Sequence, residues 1–140
     1  KVIYYSASGA PAQEGYEQVD FETLLTQSDI ISVHAPLNEH TEGLINSKAF
    51  EKMKSSCIFL NLGRGPIVDE QALYSALVRN QIAAAGLDVL CKEPMSADNP
   101  LLKIKDSKRL LITPHIAWAS VEARTHLMEI IHGQVKDFFA

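Results

Sequence analysis

Three side chains suited to acid-base or anion-binding work follow closely on apolar runs of this 140-residue sequence. Arg64 lies between Gly63 and Gly65 and ahead of Pro66. Glycine permits close backbone approach to a ligand, and proline stiffens the turn. An arginine held there can grip a carboxylate through two parallel hydrogen bonds, or it can be a plain surface arginine in a tight turn. Glu93 precedes Pro94, which biases it toward extended geometry; alone it reads equally as a solvated loop acid. His115 follows Pro114 and reads as a core histidine or a general acid/base. Together the three suit reversible oxidation of an alcohol beside a carboxylate. Arg64 holds the carboxylate and polarises the adjoining carbonyl. His115 exchanges a proton with the oxygen. Glu93 fixes the ring tautomer and favours its charged form. Hydride has to come from a cofactor, because no side chain supplies it.

Short apolar runs alternate with helix-period segments and must position these groups. Strands are expected at 2–5, 30–33, 58–62, 82–89 and 110–112. Their Ile/Val/Leu content fits strands covered on both faces. Helices are expected at 21–27, at 47–54 with Ser47 as N-cap, at 69–80 with Asp69 as N-cap, and at 121–139. Residues 9–17 read as a polar loop. This alternation predicts an α/β fold, a doubly wound parallel sheet with helices on both faces. Such sheets bind ligands beyond the carboxyl ends of their strands. All three candidates fall on such junctions, and His34 ends a further strand. Trp118, just after His115, is expected at a pocket edge. Glu129 and His132 have a metal-ligand spacing with no second copy, so no metal is assigned.

Composition narrows the field. Lys plus Arg is 13 and Asp plus Glu is 17, a formal charge of −4. That balance argues against nucleic-acid or anionic-membrane partners. The apolar fraction of 46% fits a folded domain. No apolar run approaches the ~18 residues of a membrane span. Cys57 and Cys91 show no metal or disulfide pattern, and Cys57 reads as a buried hydrophobe. A reducing, cytoplasmic setting is expected.

The stretches Asn61-Leu62-Gly63-Arg64-Gly65-Pro66-Ile67-Val68-Asp69, Gly86-Leu87-Asp88-Val89 with Glu93-Pro94, and Thr113-Pro114-His115-Ile116-Ala117 resemble the signature series of the D-isomer-specific 2-hydroxyacid dehydrogenases. Residues 115–120 are most similar to the glycerate dehydrogenase/hydroxypyruvate reductase branch. The resemblance implies a Rossmann-like fold and an NAD cofactor. It implies a small D-2-hydroxy or 2-oxo acid substrate and a homodimer through the cofactor domain. It gives Arg64, Glu93 and His115 the catalytic roles above. It assigns Asp88 to the nicotinamide carboxamide, and Ala35, Pro36, Leu62 and Gly63 to the walls of the cofactor cleft, with Arg64 and His115 beside them.

Two departures from the family pattern matter. The sequence has no G-x-G-x-x-G and no strand before one, so we expect an incomplete Rossmann-like sheet that lacks its first strand and Gly-rich turn. Residues 1–140 then form a partial dinucleotide-binding domain, whose last helix returns toward a substrate domain outside this sequence. In a 3-2-1-4-5-6 order the strands at 2–5 and 30–33 would lose the neighbour joining them to the rest. We expect the 140 residues alone to be unstable, swapped with a second copy or completed by further chain, and inactive. The second departure is Ser6, where the family commonly has an acid that binds the ribose 2′-hydroxyl; this leaves NADP open beside NAD. One alternative is a non-enzymatic corepressor-like scaffold that shares the fold and triad. A formate-type enzyme would carry glutamine in place of Glu93.

Overall fold

Four parallel strands line up their carboxyl ends in a single row. A computed structural model describes residues 1–106 and 108–139. Its strands β3 (Ile30–Val33), β4 (Ile58–Asn61), β5 (Ala84–Leu87) and β6 (Leu110–Ile112) hydrogen-bond in that order. The register sets Val33 beside Asn61, Asn61 beside Leu87, and Leu87 beside Ile112. The residues that follow each strand therefore emerge along one edge. Ahead of them, β1 (Ile3–Tyr4) pairs with β2 (Glu17–Gln18) as a separate two-stranded sheet.

Helices α1 (Phe21–Gln27), α2 (Ser47–Lys52) and α3 (Glu70–Val78) alternate with these strands. Capping fixes where each begins. The Asp20 carboxylate accepts from Thr23 N, and Asp69 Oδ1 accepts from Gln71 N and Ala72 N. Each satisfies amide donors that a first helical turn leaves free. Asn46, not Ser47, caps α2, and its Oδ1 accepts from Lys48 N and Ala49 N. Leu25, Ala49, Phe50, Leu73, Ala76 and Leu77 meet Ile31, Val33, Phe59, Ala85 and Leu87 in one core. Phe50 and Phe59 are fully buried and meet edge-to-face at 5.4 Å. Burying either ring contributes about 1.5–3 kcal/mol. Cys57 lies in the same core, as expected, and burial pushes its thiol pKa up.

Arg109 closes the far end of this layer. Its guanidinium donates to the carbonyls of Ala83, Leu77 and Ile82 and to Asn80 Oδ1, at 2.6–3.1 Å. It ties the end of α3 and the segment leading into β5 to the start of β6. Replacing Arg109 by methionine leaves those acceptors unpaired. It should lower the unfolding free energy of this domain by about 2–3 kcal/mol, measured by urea denaturation of the full-length protein.

The parallel α/β architecture agrees with the sequence reading, with three corrections. First, the polar stretch before α1 contains a strand, β2, built by pairing with β1 and not by apolar residues. Second, β3 is not isolated: it pairs with β4 along its whole length. The residues at 30–33 are thus the first strand of the larger sheet. Third, among the described residues α1, α2 and α3 pack on one sheet face and the other is exposed. Along β3 and β4 burial alternates, and Ile30, Ile58 and Leu111 on the opposite side are 40–63% exposed. The final helix α4 (Val121–Phe139) has the expected span, but none of its residues is buried.

Candidate active site

The row of strand ends gathers the candidate residues. After β4 the chain turns sharply through Leu62, Gly63 and Arg64. Asn61 sets this turn from its buried position at the strand end. Its Oδ1 accepts from Gly63 N at 3.1 Å, and its Nδ2 donates to the Arg64 carbonyl at 3.0 Å. The Arg64 side chain stays exposed and donates to the Gly63 carbonyl at 2.8 Å. A cleft of about 520 Å³ opens here, lined by His34, Ala35, Pro36, Leu37, Leu62, Gly63 and Arg64. Ala35, Pro36, Leu62, Gly63 and Arg64 thus meet in one place, and His34 joins them with a ring nitrogen 2.8 Å from Ser32 Oγ. A Cβ on Gly63 would approach the Ala35 carbonyl to 3.0 Å, so the two turns that line the cleft pack closely against each other here. A flat, partly polar ring such as a nicotinamide fits those walls.

After β6 the turn carries His115 with φ of +56°, a left-handed backbone unusual for a non-glycine residue. Asp88, at the end of β5, holds it there. The Asp88 carbonyl accepts from His115 N at 2.9 Å. Its carboxylate accepts from Thr113 Oγ1 at 2.5 Å, Ile116 N at 2.9 Å and Ala117 N at 2.8 Å. Burial pushes the Asp88 carboxyl up, but the Thr113 hydroxyl and the two amides outweigh it, and the pKa lies below the ordinary value. Asp88 is 4% exposed, so its main structural work is to lock the His115 turn. Trp118 is exposed beside it and donates from Nε1 to the His115 carbonyl at 2.9 Å.

Glu93 meets His115 across this edge. Glu93 Oε2 lies 2.9 Å from His115 Nδ1, and both side chains are 40% exposed. Glu93 Oε1 accepts from Leu90 N at 3.0 Å. The Leu90 amide first, then the His115 ring, hold the Glu93 pKa below its ordinary value against partial desolvation. Glu93 therefore stays ionised through the neutral range. A depressed carboxyl contributes stability above its unfolded pKa, and the contribution is lost as pH falls through the folded value. An ionised acceptor on Nδ1 leaves Nε2 as the ring nitrogen free to exchange a proton with a ligand. On the same sheet edge as the exposed Arg64 guanidinium, that arrangement can protonate an oxygen on a carboxylate-bearing molecule.

Ser6 stands apart from the cleft-lining residues, in the turn after β1. Its hydroxyl accepts from Ala10 N at 3.1 Å and lies 3.2 Å from Ser8 Oγ. Asn61 and Thr113 were not singled out from the sequence. A polar residue closing an apolar strand, two residues before a glycine turn, is the available signal for Asn61. Thr113 gives no such signal, because its partner is 25 residues away.

Comparison with known proteins agrees with this geometry. The family model described as D-isomer specific 2-hydroxyacid dehydrogenase, NAD binding domain, matches residues 1–117. A hydroxypyruvate reductase of Blautia hydrogenotrophica is 45% identical over 140 residues, covering 99% of this chain and 42% of the relative. A glycerate dehydrogenase of Methylorubrum extorquens is 44% identical over 122 residues, 87% of this chain and 38% of its own. Among solved structures, an acyclic imino acid reductase in complex with NADPH and D-Arg superposes with a TM-score of 0.85 at 37% identity, covering 99% of this chain and 43% of that one. The chain spans less than half the length of each of these proteins. With 117 of its 140 residues matched, the chain belongs to the D-isomer-specific 2-hydroxyacid dehydrogenase family, within its NAD-binding domain.

Proposed function

We propose that the full-length protein reduces a small 2-oxo acid to a D-2-hydroxy acid, with hydroxypyruvate and glycerate as the favoured pair. The observation that carries this reading is the 2.9 Å contact between Glu93 and His115 at the strand edge that also presents Arg64. Arg64 binds the substrate carboxylate as a planar fork and polarises the adjoining carbonyl. His115, protonated on both nitrogens, donates from Nε2 to the carbonyl oxygen and regains the proton in the reverse direction. Glu93 fixes the ring through Nδ1 and favours its charged form. The nicotinamide supplies the hydride when bound. Ala35, Pro36, Leu62 and Gly63 wall its cleft, Asp88 offers an acceptor to its carboxamide, and Ser6 marks its ribose end. The neutral Ser6 turn is compatible with NAD and NADP, and NAD is the proposed cofactor.

In the proposed setting the enzyme is cytoplasmic and homodimeric. The two free cysteines support the first point and the family resemblance the second. No helix among the described residues is long and apolar enough to cross a membrane. The exposed apolar stripe of α4 supports a role in contacting the remainder of the protein.

The test is absorbance at the reduced-nicotinamide band while the full-length protein is offered hydroxypyruvate with NADH, then with NADPH. Consumption with NADH in excess of NADPH is the expected result. No turnover with hydroxypyruvate, pyruvate or glyoxylate would transfer the assignment to a partner-binding scaffold. Within the enzyme reading, Glu93→Gln removes the charge that favours the protonated ring. The alkaline limb of the reduction pH profile should then move to lower pH. An unmoved limb would separate Glu93 from the proton transfer.

A further inference from the structure

The geometry points to Glu70 as a positioning residue that clamps the Glu93-bearing loop against the start of α3 and so sets Glu93 at His115; the role in turnover rests on the reaction proposed above. Glu70 is the first residue of α3 and follows the Arg64 turn by six positions. Both of its carboxylate oxygens are used, and they reach the two ends of one loop. Oε1 accepts from Cys91 N at 2.8 Å, and Oε2 accepts from Asn99 Nδ2 at 2.8 Å. Glu93 lies between those anchor points.

The connection to the catalytic pair is short. Cys91 N donates to Glu70, and the preceding amide, Leu90 N, donates to Glu93 Oε1. Two consecutive amides of one turn thus end on two different carboxylates, and fixing one orients the other. Asn99 is 6% exposed, and its Oδ1 accepts from Leu101 N at 2.9 Å, where it caps the 3₁₀ turn Pro100–Lys103. Asn99 therefore has a defined orientation, with the amino group toward Glu70. Cys91 Sγ also lies 3.6 Å from the Val68 carbonyl, beside the same helix start. Besides His115, the charged group that acts on Glu93 is Asp88 at the end of β5, whereas Glu70 and Asp69 at the start of α3 act on Cys91.

Only an acceptor at both oxygens satisfies this site. In Glu70→Gln one end of the new amide can still accept from Cys91 N. The other end is a donor facing the Asn99 amino group, and turning Asn99 over would forfeit its bond from Leu101 N. Adding Asn99→Asp restores the polarity, because the new carboxylate accepts from the glutamine amide and from Leu101 N together.

The experiment compares the His115 ring signals by NMR in the full-length apoprotein at one pH, alongside the pH profile of reduction. Glu70→Gln should displace the ring signals and move the alkaline limb to lower pH, each in the same direction as Glu93→Gln. The double variant Glu70→Gln/Asn99→Asp should return both to the wild-type position. A Glu70→Gln protein with a lowered unfolding midpoint but unmoved ring signals would make Glu70 merely structural and overturn the inference. A displacement that Asn99→Asp does not reverse would overturn it as well. If the ring signals move and are restored while the wild-type protein reduces no 2-oxo acid, the proposed reaction fails and the positioning role stands.

Discussion

His115→Ala should lower turnover in 2-oxo acid reduction by about 10²–10⁴-fold, the usual contribution of a positioned general acid. The effect should fall on kcat, with the KM for the oxo acid changing little, because in the proposed reaction Arg64 supplies the carboxylate contact. The fold around the site should survive. The turn is held by Asp88, whose carboxylate accepts from Thr113 Oγ1, Ile116 N and Ala117 N, and none of these bonds uses the imidazole. The backbone N–H of residue 115 keeps its bond to the Asp88 carbonyl. Alanine inherits the left-handed backbone, a cost of about 1–2 kcal/mol already present with histidine. Steady-state kinetics of the full-length protein at neutral pH, with circular dichroism as a fold check, decides it. A rate within a few-fold of wild type would remove His115 from the chemistry and leave it as a turn residue.

The catalytic candidates were legible because glycine and proline mark them. Gly63, Gly65 and Pro66 frame Arg64, Pro94 follows Glu93, and Pro114 precedes His115. Each sits one turn beyond an apolar run, and a parallel sheet delivers such turns to one edge. The strands at 30–33 and 110–112 were legible for the same reason, as short branched runs between polar breaks. β2 was not. Glu17 and Gln18 are both exposed, and the strand is defined by partners elsewhere: Tyr4 Oη donates to Gln18 Oε1 and receives from Gln13 N. No local pattern encodes such a pairing. Coverage of the sheet was misread because Ile30 and Ile58 look like core residues in a one-dimensional string, yet their faces are bare. The supporting polar groups were hidden by sequence distance. Glu70 meets partners 21 and 29 positions away, and within α3 it reads only as a first-turn acid.

Gly65→Ala should cost about 10²-fold in turnover and destabilise the domain by about 1–3 kcal/mol or more. A Cβ built at residue 65 falls 2.0 Å from both the carbonyl carbon and oxygen of Leu90 and 2.4 Å from Cys91 N. These are backbone atoms, which cannot rotate out of the way as a side chain can. Either the Arg64 turn or the Leu90–Cys91 peptide has to retreat by about 1.5 Å or more to reach ordinary contact distance. Both carry site groups. Arg64 adjoins residue 65, and the Leu90 and Cys91 amides fix Glu93 and Glu70. A displacement of that size is enough to misalign the proposed proton donor and carboxylate anchor, so catalysis should suffer beyond the loss of stability. Two other glycines supply the contrast. A Cβ at Gly86 meets only the movable Leu60 Cδ2, at 2.9 Å, and one at Gly133 in α4 meets nothing. Gly86→Ala should be mild, and Gly133→Ala should stabilise its helix by roughly 0.5–1 kcal/mol. Kinetics and urea denaturation of the three variants in the full-length protein separate the cases. Wild-type turnover in Gly65→Ala would mean that the Arg64 and Glu93 turns are not packed backbone to backbone in solution, and the coupling between anchor and acid would have to lie elsewhere.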